Sequence, residues 1–379
     1  MSVRRVLKWT ALAVLLVALV AGIVYRSTVV AQARALVVLT TTLDPPVLAW
    51  TVRVLTGEPE VEDIVLADVP TTFVRPDGSG PWPAVVFVNG ATRRGRYHPH
   101  VQRLARGLAR AGYVAAVPDL PGLRRGEITV RTAARTIAVA RAVSARSDVR
   151  EGRVALFGVS VGASLALLAA EDRSLATRIS VVAGIAPYTS LVEVIRIATT
   201  GFHRSGGRLL PYRAESFLAL VTARSLAAAL PSGRDRSQLL GRLRVVDDKA
   251  PAPLAVLRRP WTPELGAHAR RVVLLLRNRD PRRFDRLYAD LPGSFRGRIR
   301  RLSPIIAAER LRAPVEIASA PHDKYFPLSE SRALAREAEV RITVTSTLAH
   351  AIPQASPSGV ADLFRFHAFI VRALRRARD

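Results

Sequence analysis

Short apolar runs, set apart by helix-patterned stretches, constrain this chain more than any other feature. Ala84–Val88 reads AVVFV, Tyr113–Val117 reads YVAAV, Arg153–Phe157 reads RVALF and Ile179–Ala183 reads ISVVA. Continuous runs of this length fit strands covered on both faces, as in the interior of a parallel sheet. His100–Ala111 and Thr129–Ala145, between them, carry a helical pattern. The alternation returns with a strand at Val315–Ser319, a helix at Ser329–Ala338, a strand at Val340–Ser346 and an amphipathic helix at Val360–Arg375. Strand and helix in turn predict an α/β fold, with a mostly parallel central sheet, flanking helices and right-handed crossovers. Val61–Pro76 reads as a hairpin, and Pro76–Pro81 as a strong turn. From Pro187 to about Ile306 the alternation fails. That stretch holds helical patterns such as Ala214–Leu230 and one expected strand at Arg271–Leu276, and it is long for a connection. We read it as an inserted cap over about 188–306, within a domain covering 61–379.

The N-terminus has a different pattern. Arg4, Arg5 and Lys8 precede Trp9–Tyr25, which carries no charge. At about 1.5 Å per residue this stretch nearly spans a bilayer's hydrocarbon layer. The expectation is an N-terminal transmembrane helix, with membrane lipid as a partner. The protein would then sit in the cell membrane as a single-pass protein, with its domain outside the cytoplasm. A signal peptide cleaved near Ala31-Gln32-Ala33, leaving a secreted protein, is the competing reading of 1–33. Residues 34–60 form an apolar linker. Asp44, Pro45, Pro46 and Arg53 interrupt it, so it is a broken second span, an interfacial segment or a piece lying against the domain.

With 379 residues, 49% hydrophobic, the chain can bury one large domain carrying an insertion. It has no cysteine, which excludes disulfides, thiolate catalysis and cysteine-held metal centres. Lys and Arg number 57 against 30 acidic residues, for a net charge of +27. Arginine-rich surface helices or attraction to anionic headgroups account for that balance. Basic residues are spread along the whole chain with no aromatic-basic motif, so no nucleic-acid partner is expected.

The chemistry concentrates in Val154–Ala170, VALFGVSVGASLALLAA. Gly158-Val159-Ser160-Val161-Gly162 is a G-x-S-x-G pattern between an expected strand and an expected helix, the context that a nucleophilic serine on a sharp turn requires. A serine hydroxyl needs an adjacent base, and the base needs an orienting acid. Asp323 follows the strand Val315–Ser319, at the edge where an open α/β sheet presents ligands. His350 follows the next strand. The order Ser160, Asp323, His350 is nucleophile, acid, base. The oxyanion donors are expected to be the backbone N–H of Val161 and of Ala91. Asn89, Gly90, Thr92, His322 and Tyr325 are the expected substrate-binding residues. His322, His98 and His100 are rivals to His350 as base. His367, His203 and His268 suit packing or the insertion. The seven histidines show no metal-binding spacing, and neither a metal nor a cofactor is expected. The residues together suit acyl transfer from a small-molecule ester or acyl substrate to water.

Five stretches carry a resemblance: PWPAVVFVNG, GYVAAVPDLPG, GRVALFGVSVG, LRAPVEIASAPHDKYFP and STLAH. With them the chain resembles the α/β-hydrolase superfamily, nearest its dienelactone-hydrolase-like and prolyl-oligopeptidase-like esterase branches, over roughly Val61–Arg376. The resemblance implies an α/β-hydrolase fold and a serine esterase. Two positions depart from the family pattern. Asn89-Gly90 stands where His-Gly is common, and Ala320-Pro321-His322-Asp323 lacks the glycine of Gly-x-x-Asp. Dienelactone hydrolase itself uses a cysteine nucleophile, so that activity is not implied. A thioesterase or acyltransferase with the same triad, and a non-catalytic membrane-bound binding protein on the same scaffold, are the alternative readings.

Overall fold

The computed structural model describes residues 28–350, 352–353 and 359–378. Helix α1 covers residues 28–43 and α2 covers Pro46–Thr56. Strands β1 (Glu60–Leu66), β2 (Val69–Arg75) and β3 (Trp82–Val88) lead to α3 (Pro99–Arg110), β4 (Val114–Pro118), α4 (Val130–Ser144), β5 (Val149–Val159), α5 (Val161–Ala170) and β6 (Ile179–Ile185). The next segment is mostly helical. It holds α6 (Leu191–Thr200), the small hairpin β7 (Phe202–Ser205) and β8 (Arg208–Pro211), then α7 (Ser216–Ala228), α8 (Arg234–Arg244), α9 (Ala267–Arg277), α10 (Phe284–Ala289) and α11 (Gly293–Arg301). The chain then returns to β9 (Val315–Ser319), α12 (Leu328–Glu337), β10 (Val340–Val344), the short β11 (Leu348–Ala349) and β12 (Ile352–Pro353), and α13 (Gly359–Arg376).

Eight strands form the central sheet in the order β1-β2-β4-β3-β5-β6-β9-β10. The β1–β2 and β2–β4 pairs are antiparallel, and every pair from β4 to β10 is parallel. The observed sheet is thus mixed but mostly parallel. Side chains alternate across it. Ala84, Val86 and Val88 join the cluster that contains α4 and α5 residues, whereas Val85 and Phe87 join the cluster with α1, α3 and α13 residues. Helix α5 is buried along its whole length, so its sequence is apolar or small on every side. Complete burial of a side chain such as Leu165 is worth roughly 1.5–3 kcal/mol.

The helices α6–α11 pack around a second apolar cluster that includes Leu220, Leu239, Leu254 and Leu276. Here one expectation is corrected. Arg271–Leu276 is helix α9, not a strand. Its buried residues Ala269, Val272, Val273, Leu275 and Leu276 turn to that cluster while Leu274 between them faces out, as on a helix. The short run VVLLL, taken alone, does not distinguish the two structures.

A second correction concerns the membrane. No helix among the described residues is long and apolar enough to cross one. Among the described residues, then, the expected transmembrane helix, the membrane-lipid partner and the single-pass location in the cell membrane find no support. Trp9–Tyr25, the basis of that expectation, lies outside the described residues. The second apolar stretch is two helices, broken where Asp44 turns to φ 55° ahead of Pro45 and Pro46. Helix α1 lies on α3 and buries Ala31, Ala35 and Val38 in the cluster on that face of the sheet.

Candidate active site

Ser160 connects β5 to α5 in a turn that few residues adopt, with φ 56° and ψ −129°. Such a conformation costs on the order of 1–3 kcal/mol and persists only where its surroundings hold it. The Ser160 N–H donates to the carbonyl of Ile185 in β6 at 2.7 Å, which anchors the turn to the sheet. The flanking glycines have steric reasons. A Cβ on Gly158 would lie 2.5 Å from the Gly162 carbonyl oxygen, and one on Gly162 would lie 2.5 Å from the Asn89 oxygen and closer still to that of Val88. Helix α5 can therefore start against the end of β3 only if both positions lack side chains.

The loop after β3 reaches the same place. A Cβ on Gly90 would meet the Cβ of Ser160 at 3.3 Å, so the loop backbone runs directly beside the serine. Asn89 is buried, and its side-chain amide donates to the Gly90 carbonyl at 2.9 Å. Ala91 and Thr92 follow, half-buried. Val161 is the first residue of α5. Its N–H is among those an α-helix cannot satisfy internally, and the positive end of the helix dipole lies there.

Asp323 lies beyond β9 and His350 beyond β10, and the structure joins them. His350 Nδ1 is 2.9 Å from each carboxylate oxygen of Asp323. Asp323 Oδ1 also accepts the N–H groups of Tyr325 at 2.8 Å and Phe326 at 2.9 Å. Both side chains are buried. His350 follows the β11 strand with φ 59°, and its ring has Tyr325 edge-on at 4.6 Å and Phe326 at 5.7 Å. Its other ring nitrogen, Nε2, is buried without a hydrogen-bond partner among the described residues. A neutral imidazole that donates from Nδ1 leaves Nε2 as a free proton acceptor.

Ser160, Val161, His350, Asn89, Gly90, Ala91, Thr92 and Tyr325 all line one cavity of about 830 Å³. His322 is exposed and is not part of that lining. His98 and His100 do line it, and their rings stack at 5.6 Å. His203 is buried, with Nδ1 3.2 Å from the Ser329 hydroxyl. His268 is exposed on α9, and His367 is half-buried on α13. Among the described residues, no group of three or more histidines and carboxylates is placed to hold a metal ion.

Sequence reasoning missed several wall residues. The Tyr325 hydroxyl donates to Glu215 at 2.8 Å, and Lys324 pairs with the same carboxylate at 3.0 Å. Burial and that hydrogen bond push the Tyr325 phenol up, so it stays a neutral hydroxyl. The Glu215 carboxyl loses some solvent, yet the hydrogen bonds from Lys324 and Tyr325 hold it below the usual carboxylate range. Val38, Leu39, Thr42 and Leu43 of α1 also line the cavity. The signal for them was present: Ala35, Val38 and Thr42 recur at helical spacing in the segment read as a linker.

Residues 85–362 match the model of the alpha/beta hydrolase family. A comparison with curated proteins finds no match. Among solved structures, the chain is similar to the dipeptidyl peptidase 4 of Porphyromonas gingivalis, at 14% identity and TM-score 0.46, covering 83% of this chain and 35% of the peptidase. It therefore spans about a third of that protein's length. It is also similar to the esterase PF2001 of Pyrococcus furiosus, at 13% identity and TM-score 0.46, covering 87% of this chain and 95% of the esterase. A third likeness is to the dienelactone hydrolase of Anabaena variabilis, at 14% identity and TM-score 0.41, covering 84% and 98%. The family match runs from the third strand of the sheet to the start of the last helix and takes in the serine turn and both loops that follow β9 and β10, so the chain belongs to the alpha/beta hydrolase family.

Proposed function

We propose that this protein hydrolyses carboxylic esters through an acyl-enzyme, with Ser160 as nucleophile, His350 as base and Asp323 as the acid that orients it. Membership of the family is consistent with hydrolase chemistry. One observation carries the finer reading. The Asp323–His350 pair keeps a buried, unpartnered Nε2, and His350 lines the same cavity as a serine held in a strained turn.

In this reaction the Ser160 Oγ attacks the ester carbonyl while His350 Nε2 takes its proton. Asp323 fixes the tautomer and steadies the imidazolium. The backbone N–H groups of Val161 and Ala91 hold the oxyanion. Collapse of the tetrahedral intermediate expels the alcohol, which takes the proton back from Nε2. Water then loses a proton to Nε2 and attacks the acyl-serine. The acid departs, and Ser160 regains its proton.

The test is covalent labelling by a fluorescent fluorophosphonate alongside p-nitrophenyl ester turnover, in the unaltered protein and in Ser160→Ala. The expected result is that both signals vanish in the variant while its melting curve is kept. Turnover that persists in Ser160→Ala, or folded protein that neither labels nor turns over, would sink the reading. A thioesterase or acyltransferase would label equally, and would differ by preferring thioester substrates or an added alcohol acceptor.

A further inference from the structure

We propose that the substrate is an uncharged aliphatic ester with hydrocarbon on both sides of the scissile carbonyl. The cavity divides at Ser160 into a cap arm and an α1 arm, and helix α1 roofs the second. The proposal rests on the serine-hydrolase reading and names its substrate class.

The cavity of about 830 Å³ is near the upper end of the ~300–1,000 Å³ typical of small-molecule sites. Its walls come from opposite sides of the sheet. Val194 of α6, Leu218 and Val221 of α7, and Leu302 after α11 belong to the cap side. Leu39 and Leu43 of α1, Leu104 of α3, and Phe366, Phe369 and Ile370 of α13 belong to the other. Ser160 lies on the turn between them, at the end of a central strand. A carbonyl seated on Ser160 therefore has apolar wall on either hand.

Few charged side chains line the cavity, and both arms are mostly apolar. Glu215 is paired with Lys324 at 3.0 Å, and Arg298 donates to the Ala229 carbonyl. A charged substrate group seated against the leucines and phenylalanines of either arm, away from Arg298, His98 and His100, would find no counter-ion, and that burial is costly. Neutral chains gain instead, at about 0.8 kcal/mol per methylene buried.

The roof is firmly seated. A Cβ on Gly107 of α3 would lie 3.1 Å from the Val38 carbonyl oxygen and 3.2 Å from the Thr41 Cβ, so α1 and α3 touch at backbone level. Arg34 of α1 lies over the Tyr113 ring at 5.7 Å, and the Tyr113 hydroxyl donates to the Leu374 carbonyl of α13 at 2.7 Å. These contacts hold α1 over the apolar surface between α3 and α13. Helix α1 precedes residues 85–362, so this wall lies outside the matched family region.

The test uses the full chain and two series of neutral esters. One varies the acyl group from acetyl to octanoyl on a fixed short alcohol, and the other varies the alcohol from methyl to octyl on a fixed acetyl group. The unaltered protein is expected to show kcat/KM rising roughly tenfold or more along both series. Val221→Trp fills the cap arm and Leu39→Trp the α1 arm. Leu43→Trp, at a half-exposed position on the same arm, reads that arm even where Leu39→Trp fails to fold. Each folded variant is expected to flatten one series about tenfold, the cap variant one and the α1 variants the other. A flat profile in the unaltered protein, or variants on both arms acting on the same series, would overturn the two-armed site. Fluorophosphonate labelling separates the failures. A labelled protein with a flat profile loses only this inference, and a folded protein that does not label loses both readings.

Discussion

At the scale of single residues, the site depends on space denied to side chains and on one carboxylate. Gly162→Ala would drive a Cβ into the ends of β3, where only backbone is available to yield. The expected cost is on the order of 4 kcal/mol, read as a fall in the denaturation midpoint or as failure to fold. Gly241→Ala is the control, because nothing lies within 4 Å of its added Cβ on exposed α8; it should stabilise by about 0.5–1 kcal/mol. Asp323→Asn keeps an acceptor for the Tyr325 and Phe326 N–H groups but removes the charge beside His350 Nδ1. On the proposed mechanism kcat should fall by roughly 10³–10⁴-fold with the fold retained, as steady-state kinetics and circular dichroism would report. The serine turn was legible in the sequence because its steric demands are local: strand, two glycines and helix are contiguous. The rings around His350 were not, because Tyr325 and Phe326 meet it only when two loops, 27 residues apart at Asp323 and His350, fold together.

At the scale of elements, a buried carboxylate ties the cap to the sheet. Glu330 of α12 accepts the N–H groups of Thr189 at 2.8 Å and Ser190 at 2.7 Å, and the Thr189 hydroxyl at 3.1 Å. These residues open α6, where the chain leaves the sheet for the cap. Burial pushes the Glu330 carboxyl up against the pull of those donors. Glu330→Ala should orphan two backbone donors and cost about 2–4 kcal/mol, measured by chemical denaturation. Glu330→Gln, which keeps an acceptor oxygen, should cost less. Elements with one unambiguous period were readable from sequence, as α3, α4 and the parallel strands demonstrate. Helix α9 was not, because a run of five apolar residues suits either structure until the cap cluster selects a face.

At the scale of the whole molecule, one buried carboxyl sets a pH response. Glu171 caps the end of α5, almost wholly buried, with Oε1 lacking a hydrogen-bond partner among the described residues. Burial, with Glu309 nearby, raises its carboxyl from 4.5 to about 8, and Arg310 only partly opposes this. In the unfolded chain the group ionises near its ordinary value, whereas in the folded chain it stays protonated. The folded state therefore holds the extra proton, and stability falls as pH rises from about 4.5 to 8, then levels. The loss is at most about 5 kcal/mol. Glu171→Gln should flatten that slope, with its largest gain above pH 8, in urea midpoints compared across the range.

The sequence by itself determined the alternation of strands and helices outside the cap, the serine turn and the apolar content of the core, since each follows from a local period or a local steric demand. Hydropathy leaves the apolar linker 34–60 open as a broken span, an interfacial segment or a piece lying against the domain, because it does not distinguish a bilayer from a protein surface as the apolar partner. In residues 28–43 only the tertiary structure decided, by setting Val38 and Thr41 against the bare backbone of Gly107. The meeting of His350 with Asp323 and the walls of the cavity were decided there as well, because they join segments far apart in the chain that only the assembled sheet brings within bonding distance.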